Sequence, residues 1–227
     1  HFVLSLNGAR LAAIDDDNFV HIWDTNRSDL IQTISVPVSE DFPMYRDIAI
    51  SQDGQFVAVA RDIETSFVWD ITSGELVFIM PESASSIVFI SDGKYLVTGS
   101  NTNELSFWDT EEWVKVNQLS LGKENVGEIY FLKEDVTREW LWVLQGSPKR
   151  LIVFQIEDDQ ISPFYDRVIE SRVGFFADIS QTGSYAFMEF DTNPSKDEMC
   201  SILRIWDIKT NSEMKSYVID PSVNLSI

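Results

Sequence analysis

Cysteine and histidine are almost missing from this chain of 227 residues, which has one Cys and two His. A lone cysteine excludes an intrachain disulfide, and two histidines leave no Cys/His cluster for a structural zinc. The expectation is a reducing, cytoplasmic setting, with Cys200 an inert thiol beside a strand. No apolar run approaches the ~18 residues that span a bilayer as a helix, so no membrane segment is expected. Bases are scarce as well, 17 against 37 acids, for a formal net charge of −20. That balance disfavours nucleic acid, whose backbone needs clustered Lys and Arg, and permits a basic protein partner. Its first meaning is solvation, because the acids gather in turns such as Asp15-Asp16-Asp17, Glu157-Asp158-Asp159 and Lys196-Asp197-Glu198.

Catalytic constellations are also lacking. No His accompanies a candidate Ser nucleophile, and there is no Gly-rich phosphate cradle or metal-spaced His pair, so no enzyme, cofactor or metal site is expected. Asp15-Asp16-Asp17-Asn18 lacks the alternating ligands and distal Glu of a calcium loop, and is read as a turn whose acid bonds local backbone.

Aromatic residues are plentiful, at 12%, and they are placed periodically. Four Trp-Asp pairs end apolar strands: Trp23-Asp24, Trp69-Asp70, Trp108-Asp109 and Trp206-Asp207. The Trp residues lie 46, 39 and 98 positions apart, and the last interval is about twice the roughly 40 to 45 of a four-stranded propeller blade. A degenerate copy fills it at Leu151-Ile152-Val153-Phe154-Gln155-Ile156, where Phe154 stands in for Trp. Gly8, Gly54 and Gly93 each precede their Trp by 15 residues and Gly183 by 23, in Asn-Gly, Asp-Gly or Thr-Gly steps that suit tight hairpins. Each unit therefore reads as strand, turn, strand, turn, strand, turn, strand. In the second these are Asp47 to Ser51, Gln55 to Ala60, Ser66 to Trp69 and Glu75 to Met80. Phe56-Val57-Ala58-Val59-Ala60 is apolar on both faces, as a strand between two blades should be.

This cycle of strand, Gly turn, strand, Trp-Asp strand and turn resembles the WD-repeat family over essentially the whole chain. The resemblance implies an all-β propeller of four-stranded antiparallel blades, here five, at approximately 1-43, 44-83, 84-124, 125-171 (degenerate) and 172-220. Residues 221-227 read as the first strand of a sixth. The expectation is a sector of a longer chain, with a small five-blade ring as the alternative. The family's Gly-His pair is absent, so the polar staple inside each blade is expected to be missing.

Two departures from the repeat stand out. Between Lys133 and Trp140 a longer charged turn is expected in place of the Asp-Gly hairpin, with Trp140 and Trp142 on one face of the following strand as core. Between Glu189 and Cys200 a long polar loop is expected.

The resemblance implies partner binding at the narrow face, where residues ahead of each first strand gather. These are His1, Asp47, Ser86, Glu128 and Phe176, with Tyr45, Arg46 and Phe175 adjacent; Tyr and Arg are common interface anchors. The functional expectation is a non-catalytic protein-interaction scaffold, a WD-repeat sector of a larger multidomain protein similar to the C-terminal repeat arrays of nucleotide-switch receptors. The alternative is a propeller enzyme or small-ligand binder using channel carboxylates such as Asp47 and Glu128.

Overall fold

The computed structural model describes residues 1–37, 45–61, 65–122, 128–135, 139–146, 150–157, 160–168, 173–179, 184–192, 199–210 and 212–219. At 130–131, 167, 173–179, 185–192, 199–201 and 219 only the backbone is described. The chain forms two compact units, residues 1–166 and 167–227.

Four sheets, each a meander of neighbours in sequence, make up the first unit. The first sheet holds β1 (Phe2–Leu4), β2 (Arg10–Ile14), β3 (Phe19–Asp24) and β4 (Asp29–Ser35). The second holds β5 (Asp47–Ile50), β6 (Phe56–Ala60), β7 (Ser66–Asp70) and β8 (Leu76–Met80). The third holds β9 (Ser86–Ile90), β10 (Tyr95–Gly99), β11 (Glu104–Asp109) and β12 (Lys115–Ser120). The fourth holds β13 (Ile129–Asp135), β14 (Trp140–Gln145), β15 (Arg150–Glu157) and β16 (Gln160–Val168). The second unit carries the remaining sheet of β17 (Val173–Ile179), β18 (Ser184–Thr192), β19 (Met199–Asp207) and β20 (Ser212–Ile219). Every pairing described is antiparallel. Residues 221–227, read as a further strand, lie outside the described residues.

The repeat is visible in the packing. Ile48, Val57, Val59, Phe67 and Trp69 of the second blade meet Ala12, Ile14, Val20 and Ile22 of the first. Trp108 of the third meets Ala49, Ala58, Ala60 and Val68 of the second. Phe154 of the fourth meets Val97, Leu105 and Phe107 of the third. The large aromatic of the second, third and fourth blades thus lies against the smaller residues of the blade before it, and burial of such rings is the main term holding these blades together. Phe154 pairs with Leu141 as Trp108 pairs with Leu96, so the degenerate repeat keeps its place in the sheet. A register shift falls just before Trp23, Trp69, Trp108 and Trp206 alike, a bulge that twists each third strand at its Trp.

The four aspartates of the Trp-Asp pairs all cap the turn that follows. Asp24 accepts from the backbone N–H of Asn26 and Arg27, Asp70 from Ser73, Asp109 from Glu111 and Glu112, and Asp207 from Thr210, all at 2.8–3.1 Å. Each satisfies donors that the turn would otherwise leave unpaired. The fourth position after these aspartates has a left-handed backbone at Ser28 (φ 57), Gly74 (φ 72) and Trp113 (φ 55). Trp113 is costly there, and its ring is held by stacking on Phe78 at 5.3 Å and by edge contact with Phe56 at 5.3 Å.

Three expectations need revision. The charged stretch after Lys133 is not a long turn: β13 runs on through Glu134 to Asp135 and β14 starts at Trp140, because Lys133 to Asp135 continue the ladder opposite Trp142, Leu141 and Trp140. Of the stretch from Glu189 to Cys200, Glu189 to Thr192 and Met199 to Cys200 continue the hairpin ladder, paired as far as Thr192 with Met199, and residues 193–198 lie outside the described residues. Without the Gly-His pair the third blade still ties its Trp to a strand hydroxyl, Trp108 Nε1 donating to Thr98 Oγ1 at 3.2 Å. Trp140 and Trp142 are buried with ring centroids 6.0 Å apart, as core. Asp15 takes the role read for it, accepting from the N–H groups of Asp17 (3.0 Å) and Phe19 (2.8 Å), with His21 Nε2 at 2.8 Å from its second oxygen. Asp62, in the link between the second and third strands of the second blade, lies outside the described residues. Asn103, in the same link of the third blade, is buried, and its amide donates to the Gly122 carbonyl at 3.1 Å.

Candidate functional site

The first strands of the four blades, β1, β5, β9 and β13, stand side by side and enclose a cavity of about 540 Å³. All four run in the same direction, so their N-terminal ends form one mouth and the turns at their C-terminal ends the other. A cavity of this size falls in the range of small-ligand and side-chain pockets.

At the N-terminal mouth the chain places His1, Arg46 and Asp47. Asp47 opens β5, where its side chain points across to the third blade. Oδ2 accepts from Ser86 Oγ at 2.8 Å and from Ile87 N–H at 3.0 Å, while Oδ1 accepts from its neighbour Ile48 N–H at 2.9 Å. Burial pushes this carboxyl above the ordinary range against the pull of those donors. One oxygen therefore joins two blades, and the other is held by the backbone of its own strand. Arg46 is exposed at the rim. Tyr45 stands beside it with its ring edge-on to His1 at 5.6 Å, and partial burial together with the nearby Asp16 and Asp15 raises its phenol.

At the C-terminal mouth lie Leu6, Gln52, Lys133 and Glu134. Glu134 Oε1 accepts from Ser91 N–H at 2.6 Å and Oε2 from the Gln52 side-chain amide. One carboxylate thus holds turns of the second and third blades to the fourth. Burial, reinforced by Asp92 and Asp135 and opposed by the two donors, pushes it up to about 7. Between the mouths, β1 contributes Phe2 and Leu4, 76% and 54% exposed, whereas Val3 packs into the core, and the turn after it adds Leu6, 62% exposed.

No protein-family profile matches the chain. In structure it is similar to the crystal structure of the Cps50 (Swd1) β-propeller domain of Myceliophteria thermophila, with a TM-score of 0.57 and 12% identity over 95% of this chain and 85% of that one. The fold is a β-propeller. At that identity the likeness carries architecture and nothing about ligands.

Of the residues picked out from sequence, Arg46 and Asp47 line the cavity and Tyr45 flanks it. Glu128 is half-buried ahead of β13, its carbonyl accepting from Gly146 N–H at 2.8 Å, and it is not among the lining residues. Phe175 and Phe176 lie on β17 in the second unit, paired with Met188 and Phe187, and their side chains are outside the described residues. Sequence reasoning missed Glu134 and Gln52. A usable signal existed, since Tyr130-Phe131-Leu132 is as apolar as the other inner strands and continues without any Gly or Pro to stop it. Among the described residues no group of three or more His, Cys, Asp and Glu could hold a metal, and no helix is long and apolar enough to cross a membrane.

Proposed function

We propose that this chain is a non-catalytic protein-interaction propeller of the WD-repeat kind, the repeat sector of a larger cytoplasmic multidomain protein of the nucleotide-switch receptor or signalling type. It takes a protein segment at the cavity, with Tyr45 and Arg46 on the rim. The observation that supports this best is the stripe of Phe2 and Leu4 on β1 and Leu6 in the turn after it, exposed apolar surface at a concave site next to an exposed Arg. The enzyme reading has the cavity in its favour, but both oxygens of Asp47 and of Glu134 are occupied by internal donors. Neither carboxylate is positioned to take a proton from a substrate. A net charge of −20 favours segments that carry basic residues and opposes nucleic acid.

A displayed random-peptide library selected on the whole chain tests this. Enriched peptides should bind at least tenfold more weakly to Leu4→Asp and Arg46→Glu, provided both variants keep the native unfolding transition. Peptides indifferent to both substitutions would overturn this placement of the site. Turnover of a substrate panel that disappears in Asp47→Asn would instead support the enzyme.

A further inference from the structure

The inner turns of the first three blades differ by one residue, and Glu134 occupies the position where the difference matters. Residues 5–9 join β1 to β2 and residues 51–55 join β5 to β6, whereas only residues 91–94 join β9 to β10. In the two longer turns the first Ser closes the ladder through its own N–H: Ser5 donates to Arg10 carbonyl and Ser51 to Phe56 carbonyl, both at 2.9 Å. In the shorter turn Ser91 (φ 53), Asp92 (φ 55) and Gly93 (φ 86) are all left-handed. The Ser91 N–H is turned out of its ladder and donates to Glu134 instead. Half-buried in the turn, this N–H needs a partner, and a carboxylate from the next blade supplies it.

The two donors to Glu134 are chemically unequal. Ser91 N–H is a backbone group and can only donate, so Oε1 must remain an acceptor. Gln52 carries both an NH₂ and a carbonyl on one rotatable amide, so it can donate to an ionised Oε2 or, turned by half a rotation, accept from a protonated one. The charges around the carboxyl are Asp92 in the third blade's turn, and Lys133 and Asp135 on its own strand; Gln52, from the second blade, Leu6, from the first, and Leu141, opposite it on β14, bring none.

We propose that Glu134 is a proton-operated switch at the C-terminal mouth of the cavity: it binds and releases a proton while keeping both inter-blade hydrogen bonds, changing the charge of the cavity wall without unlocking the blades. The proton resides on Oε2 and the Gln52 amide reverses to receive it. Above the transition the mouth is anionic and favours a cationic group; below it the mouth is neutral. The switch is a property of the propeller alone and stands whether or not the cavity takes a protein segment.

The test uses the whole chain labelled with ¹³C at the glutamate carboxyl, the Glu134 signal being assigned by its loss in Glu134→Gln. Its shift is followed from pH 4 to 9, alongside hydrogen exchange of the Ser91 amide. The expected result is a midpoint near 7, with the Ser91 amide equally protected on both sides of it after correction for intrinsic exchange. Two results would overturn the proposal: a midpoint in the ordinary glutamate range, about 4.3, or loss of Ser91 protection in step with the titration, which would make Glu134 a latch that opens. A second readout is unfolding. Wild type should lose on the order of 100-fold in its folding equilibrium constant, relative to Glu134→Gln, between pH 4.5 and pH 8, the linkage expected of a carboxyl raised from 4.5 to about 7. A pH-independent difference would also overturn it.

Discussion

Trp69 and Trp108 keep 4% and 3% of their surface, each ring set against the blade before it, whereas Trp23, on the first blade, is only half-buried. The same signature residue therefore has two energetic roles. Trp108→Ala and Trp69→Ala remove a buried indole from an interface that cannot close over the gap, and should each cost about 3 to 5 kcal/mol in denaturant unfolding. Trp108→Ala also strands the Thr98 hydroxyl. Trp23→Ala should cost clearly less than either. Equal losses at all three positions would show that the Trp face of the first blade is covered as fully as the others. At this scale the sequence was legible: the Trp phase, Phe154 as the substitute aromatic and Asp15 as a turn acid could all be read from the repeat itself. The strand that carries Glu134 could be traced, but not the role of its side chain, because its partners Ser91 and Gln52 are 43 and 82 residues away. Periodicity along a strand says nothing about which turns meet across blades.

Blade-to-blade contact sets tight limits at the level of strands. Gly99 ends β10, and a Cβ there would sit 2.4 Å from Ile129 Cγ2 and 2.8 Å from Ile129 Cβ, atoms of a fully buried residue on the next inner strand. Gly99→Ala should cost about 1 to 3 kcal/mol through overpacking, and Ile129→Ala, which removes the Cγ2 that the new methyl would meet, should cost less in that background than alone. Additive effects in that double-mutant cycle would show that the two strands do not press on each other. Asp47 joins the neighbouring pair of blades. Asp47→Ala leaves the Ser86 hydroxyl and Ile87 N–H without their acceptor, at a cost of about 1 to 3 kcal/mol. Asp47 had been chosen from sequence for its place near the narrow face; its bonds show a carboxylate already used inside the fold. The strands that escaped sequence reading, the extension of β13 and the long β18 and β19 arms, lack the Asp-Gly steps that mark strand ends elsewhere. Charged residues in a ladder look like a loop when only composition is read.

Across the whole molecule, two sets of carboxyls pull stability in opposite directions with pH. Three of the turn-capping aspartates are held below the ordinary range: Asp70 by the Ser73 N–H, Asp207 by the Thr210 N–H, and Asp24, against its desolvation, by the Arg27 N–H and the guanidinium groups of Arg10 and Arg27. Their contribution is complete above the unfolded value of 3.8 and is lost as pH falls through their lower folded values. Glu134 behaves oppositely: the folded chain holds its proton more tightly than the unfolded one. Stability from this source is complete below 4.5 and declines as pH rises towards about 7. Mutual repulsion at a net charge of −20 acts in the same sense on the alkaline side. The urea midpoint should therefore be highest in mildly acidic solution and fall on both sides. The two causes of the alkaline fall respond differently to salt. About 0.5 M salt shortens the screening length to a few ångström and weakens surface repulsion, but reaches a carboxyl buried under two turns far less. In high salt the remaining decline between pH 5 and 8 should disappear in Glu134→Gln and persist in wild type. A decline that salt abolishes in both proteins would assign the whole effect to surface charge.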